Sequence, residues 1–85
     1  MPEKFNPRLR AAFLEAVENQ LRNDDPPETR KTFDRLKQEG HSDEKAKELI
    51  AAAIAAETFW ILKENQPFNH DRFIDMLNRL PELPE

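Results

Sequence analysis

The chain contains no cysteine and no tyrosine, and only one glycine, one tryptophan and one serine among its 85 residues. Without thiols there is no disulfide framework, no thiolate zinc site and no cysteine nucleophile. The remaining scarcities exclude a glycine-rich phosphate loop and leave no Ser-His-Asp arrangement. Long hydrophobic runs are missing too: the longest, 49–56, is far too short to span a bilayer, so no membrane association is expected. Positive charge is the minority sign, with 13 Lys and Arg against 17 Asp and Glu. The basic residues (among them Arg8, Arg10, Arg22, Arg30, Lys31, Arg35, Lys37, Lys45 and Lys47) are scattered among carboxylates. Nucleic-acid binding needs a clustered basic face, so none is expected. Residues 1–5 lead straight into a polar segment with no signal-peptide pattern, and the expected location is cytoplasmic.

What is present is helix punctuation. Asn6-Pro7 reads as an N-cap followed by proline at N1, where no amide bond is lost. Leu9, Ala12, Phe13, Ala16, Val17 and Leu21 then form one stripe, predicting a helix over 7–23. Asp25-Pro26-Pro27-Glu28 repeats the device, with Glu28 as the acid of a capping box; Thr29, Phe33 and Leu36 mark a thin stripe over 26–39. Gly40 falls where a C′ residue needs positive φ. Ser42 caps a third helix over 43–64, with Asp43 and Glu44 favourably near its positive end. Its main stripe is Ala46, Leu49, Ile50, Ala53, Ile54, Glu57, Trp60 and Ile61. A second stripe, Ala52, Ala55, Ala56, Phe59 and Leu62, makes it apolar on most of its circumference, as for a helix packed on several sides. Asn69 caps a fourth helix over 70–80, with Phe68 and Phe73 spaced as a hydrophobic staple. The expected fold is all-α, a single small four-helix bundle-like domain with frayed ends at 1–5 and 81–85. Short connections favour antiparallel neighbours, so the first three helices should run up, down, up.

That arrangement brings the starts of the first and third helices together. Glu44 and Glu48, four apart on one face, repel by ~0.3 kcal/mol in an isolated helix. Arg10 is placed to pair with Glu48, with Glu44 or with both; the alternative is three solvated surface charges. Glu57 lies on an apolar stripe, where a carboxylate is costly unless paired. It reads either as a buried structural group bonded to Gln20, an Arg or a Trp, or as a proton-handling group in a pocket with a raised pKa. His41 and His70 lack a partner histidine at helical spacing and are expected exposed, so no metal site and no cofactor are expected.

The stretches Asn6-Pro7-Arg8-Leu9, Val17-Glu18-Asn19-Gln20-Leu21, Asp25-Pro26-Pro27-Glu28, Arg35-Leu36, Gly40-His41-Ser42, Glu57-Thr58-Phe59-Trp60 and Pro67-Phe68 carry a resemblance. Together with their spacing, they resemble a bacterial family classed as domain of unknown function 1841. The resemblance implies a helical domain and transfers no activity. It also implies histidines at the positions of Arg10, Leu14, Glu44 and Glu48, a plausible metal site in the relatives. This chain departs at all four, as if a metal centre were replaced by an ion pair and an apolar contact.

Two functions follow as expectations. The first is a non-enzymatic protein acting by protein–protein contacts, with a homodimer through Phe59, Trp60 or Met76 as one form. The alternative is a ligand-binding or degenerate metal-site protein, with a pocket around Glu57 and Gln20 and the Arg10/Glu44/Glu48 end.

Overall fold

The computed structural model describes residues 7–84, and within them the chain is all-α. Four helices follow in order: α1 (Pro7–Asn23), α2 (Pro27–Gln38), α3 (Asp43–Glu64) and α4 (His70–Arg79). The expected Asn6 cap and the expected fraying of residues 1–5 fall outside the described residues.

Most boundaries follow from local chemistry. Ser42 Oγ accepts the Lys45 N–H at 3.0 Å, and Asn69 Oδ1 accepts the Arg72 N–H at 2.9 Å. Each satisfies an amide that the first helical turn leaves unbonded. Phe68 and Phe73 meet with ring centroids 5.7 Å apart, closing the staple over the start of α4. α2 ends at Gly40 (φ 103°), where the His41 N–H reaches Leu36 O and the Gly40 N–H reaches Lys37 O. This is a Schellman closure, which needs left-handed backbone at that residue. α1 closes in the same way without glycine: Asp24 takes φ 53°, and the Asp25 N–H bonds Gln20 O.

The start of α2 differs from expectation by one residue. Pro26 stands at the N-cap position, and no side chain caps it. Glu28 is therefore one place too early to be the acid of a capping box. Its Oε1 is instead buried with no hydrogen-bond partner among the described residues. Two prolines in succession remove two donors, so this end has less to cap.

α1, α2 and α3 pack mutually, and α4 packs on α2 and α3. Lys37 in the last turn of α2 pairs with Asp43 at the first residue of α3, 2.7 Å apart, so α2 runs against α3. The core combines Val17 and Leu21 of α1, Phe33 and Leu36 of α2, Leu49 and Ile50 of α3, and Phe73 and Leu77 of α4. Thr29 and Thr32 widen the α2 stripe and are buried.

Past α4 the chain turns at once: Leu80 is fully buried, and the Glu82 N–H bonds Arg79 O at 2.9 Å. Arg35 on α2 holds this corner, donating from Nη1 to Leu80 O at 2.9 Å and from Nη2 to Leu77 O at 3.0 Å. The second stripe of α3, expected to be packed on several sides, is not. Phe59 is 61% exposed and Leu62 77%, because α1, α2 and α4 cover only the opposite part of the helix.

Candidate functional site

Glu57 sits on the buried face of α3 with 2% of its surface exposed. Its Oε1 accepts from Arg72 Nε at 2.7 Å, and its Oε2 accepts from Arg72 Nη2 at 3.0 Å and from the Asn69 backbone N–H at 2.8 Å. The fork geometry of guanidinium on carboxylate makes this a strong, oriented pair. Asn69 thus caps α4 with its side chain and ties α4 to α3 with its amide. Trp60, one turn beyond Glu57 on α3 and half-buried, lies 5.4 Å from the Arg72 guanidinium carbon and roofs the pair.

Burial pushes the Glu57 carboxyl up; the hydrogen bonds from Arg72 and Asn69, with the Arg72 charge, outweigh it and hold the carboxyl below its ordinary value. The same pairing raises Arg72. A carboxylate so held is ionised, neutralised and fully bonded, which is the opposite of a proton-handling group. Of the partners expected from sequence, arginine is the one that Glu57 uses.

Gln20 bonds elsewhere: its Oε1 accepts from Thr29 Oγ1 at 2.7 Å, joining α1 to α2. Gln20 and Glu57 nonetheless share a pocket of about 190 Å³, closed by Ile54, Ile61, Phe68 and Phe73 with Thr58 at its side. Thr58 Oγ1 donates back to Ile54 O, 2.8 Å away. The pocket is mainly an apolar recess with one amide at its edge.

The other half of the expected site lies apart, in a depression of about 350 Å³ lined by Arg10, Leu14, Glu18, Asp43, Glu44, Lys47 and Glu48. Arg10 Nη2 pairs with Glu48 Oε2, as the up-down-up arrangement implies. Lys47 Nζ pairs with Glu18 at 2.7 Å across the same α1–α3 seam. Asp43 is held below its ordinary value chiefly by its hydrogen bond from Lys37. The donor set does not fit a metal: Arg10 brings a cation, Leu14 no donor, and Glu48 is already engaged. No group of three His, Cys, Asp or Glu among the described residues could hold an ion. His41 is half-buried rather than exposed; His70 is exposed and meets the Phe68 ring edge-on.

The expected aromatic patch is also redistributed. Met76 faces inward, packed in the core with 9% exposed. Of the three, Phe59 is the exposed one; Leu62, one turn on, is exposed with it, and Lys63 Nζ lies 5.9 Å from the Phe59 ring centroid. Sequence reasoning missed Leu62 as a surface residue and Arg35 as a cap on α4. The 3–4 spacing of the second α3 stripe was the available signal for Leu62; nothing local signals Arg35.

No protein-family model, no curated protein and no solved structure matches this chain.

Proposed function

We propose that this protein is a non-enzymatic helical module that works by binding another protein surface through the outer face of α3. One observation carries the reading: Phe59 and Leu62 stand 61% and 77% exposed on successive turns, continuous with the half-buried Ala52 and Ala55. Contiguous apolar surface on a helix costs free energy in water and marks a contact surface. The chemistry around Glu57 supports it from the other side, because the most buried carboxylate is neutralised by Arg72 and has no proton to exchange.

The test places a photoreactive residue at position 59, with a control at Asp34 on the exposed side of α2, in cells that make the protein. An adduct specific to position 59 is expected. Equal labelling at 59 and 34 overturns the reading.

A second reading concerns the opposite end of α3. Arg10, Leu14, Glu44 and Glu48 line one depression, and these are the positions where the resembling family carries histidines. On that resemblance, the chain is a degenerate metal-site protein in which the Arg10–Glu48 pair replaces the ion. Divalent metals should then leave its thermal midpoint unmoved; a saturable rise would overturn this second reading.

A further inference from the structure

We propose that the recess between α1, α3 and α4 beside Glu57 is a binding site for a small uncharged molecule. Its ligand is apolar over most of its surface and carries one hydrogen-bond-accepting oxygen, as in a ketone or ester. The site is separate from the interaction face, since neither Phe59 nor Leu62 lines it.

Four segments of the chain converge on the recess. Gln20 comes from α1, Ile54 and Ile61 from α3, Phe68 from the connection before α4, and Phe73 from α4 itself. Phe68 is 51% exposed and both isoleucines are half-buried, so part of this apolar lining is still open to water. Protein interiors pack as densely as organic crystals and leave few voids larger than a water molecule. Here about 190 Å³ stays unfilled where the helices meet. An apolar cavity of about 150 Å³ holds benzene, so this one takes a molecule of roughly six to nine non-hydrogen atoms.

The polar groups narrow the ligand further. Glu57 is the one ionisable residue among the described lining, and Arg72 and Asn69 already hold both of its oxygens. A charged ligand would lose its hydration there and gain no counter-ion, which selects an uncharged one. Thr58 Oγ1 gives its proton to Ile54 O. Gln20 is the group with a donor to spare. Its Oε1 accepts from Thr29 Oγ1 at 2.7 Å, and Thr29 is fully buried and lies outside the recess. That bond fixes which way the amide faces. Gln20 Nε2 is left without an acceptor among the described residues, at the edge of an otherwise apolar recess. An apolar hollow with one oriented polar group is how small-molecule sites combine affinity with selection.

Three probes of one shape test the proposal: acetophenone, α-methylstyrene (a CH₂ in place of the oxygen) and benzoate (a charge in place of the ketone). Each is titrated into the labelled protein while NMR follows the Ile54 and Ile61 methyls and the Gln20 side-chain amide. Acetophenone should shift all three signals saturably. α-Methylstyrene should bind about fivefold more weakly for want of one hydrogen bond, and benzoate most weakly of all. Gln20→Glu keeps an oxygen for Thr29 but removes the donor, so the preference for acetophenone over α-methylstyrene should vanish. Ile61→Phe puts a larger side chain into the recess and should weaken both neutral probes by about tenfold, with helix content unchanged by circular dichroism. No saturable shift from any probe up to its solubility overturns the proposal. So does equal binding of acetophenone and α-methylstyrene by the unaltered protein, benzoate binding as tightly as acetophenone, or a preference for acetophenone that survives Gln20→Glu.

Discussion

The Glu57 carboxylate on α3 accepts two hydrogen bonds from the Arg72 guanidinium on α4, at 2.7 and 3.0 Å, in a site where only 2% of the glutamate reaches solvent. This pair, with the Asn69 amide, fastens the last helix to the bundle. Removing one partner strands the other. Arg72→Ala should destabilise the fold by about 3 kcal/mol, because the carboxylate stays buried without its cation. Replacing both residues by apolar ones of similar volume should cost less than the sum of the single changes. A double-mutant cycle by urea denaturation measures the coupling.

Acid should act through the same residue. The folded carboxyl titrates below the ordinary glutamate value, so at low pH the unfolded chain binds the proton more readily. The contribution is therefore fully present above the unfolded-state pKa and lost as pH falls through the folded one. Stability should decline across and below the usual carboxylate range, and Glu57→Gln should flatten that slope. Denaturant midpoints at a series of pH values check it; an unchanged slope in the variant would refute it.

Arg35 should act as a cap from another helix. Its two nitrogens bond the Leu80 carbonyl and the Leu77 carbonyl, which also accepts the Leu80 N–H. Arg35→Ala should cost about 1–2 kcal/mol and speed amide hydrogen exchange in the last turn of α4 ahead of the other helices. Arg35→Lys should restore little, since a single ammonium cannot span both carbonyls as the guanidinium fork does.

Gly40→Ala isolates backbone strain. A Cβ there meets nothing within 4 Å, so no clash arises, yet φ is 103°. The expected cost is about 1 kcal/mol or somewhat more, visible as a lower thermal midpoint with unchanged helix content.

The depression at the start of α3 offers a gain-of-function experiment. Arg10 and Glu48 are each more than a third exposed, so Arg10→Ala should change stability by less than about 1 kcal/mol. Placing histidines at 10, 14, 44 and 48 together should create a variant whose thermal midpoint rises with zinc or nickel. No rise would mean that the four positions do not converge closely enough to share an ion.

The number, order and most of the limits of the helices were legible in the sequence, because caps, prolines and the lone glycine act within a few residues of themselves. Ser42, Asn69, Gly40 and the Phe68–Phe73 staple each satisfy a local backbone need, and local needs are written locally. The burial of Glu57 was also legible as a position on an apolar stripe, and so was the meeting of Arg10 with Glu48, which needs only helix directions. What the tertiary structure alone decided is who covers whom. Arg72 rather than Gln20 takes Glu57, Arg35 reaches 45 residues along the chain to Leu80, and the second stripe of α3 is left facing water. These depend on where three helices come to rest against a fourth. That placement is set by the packing of the whole core, which no single window of sequence contains.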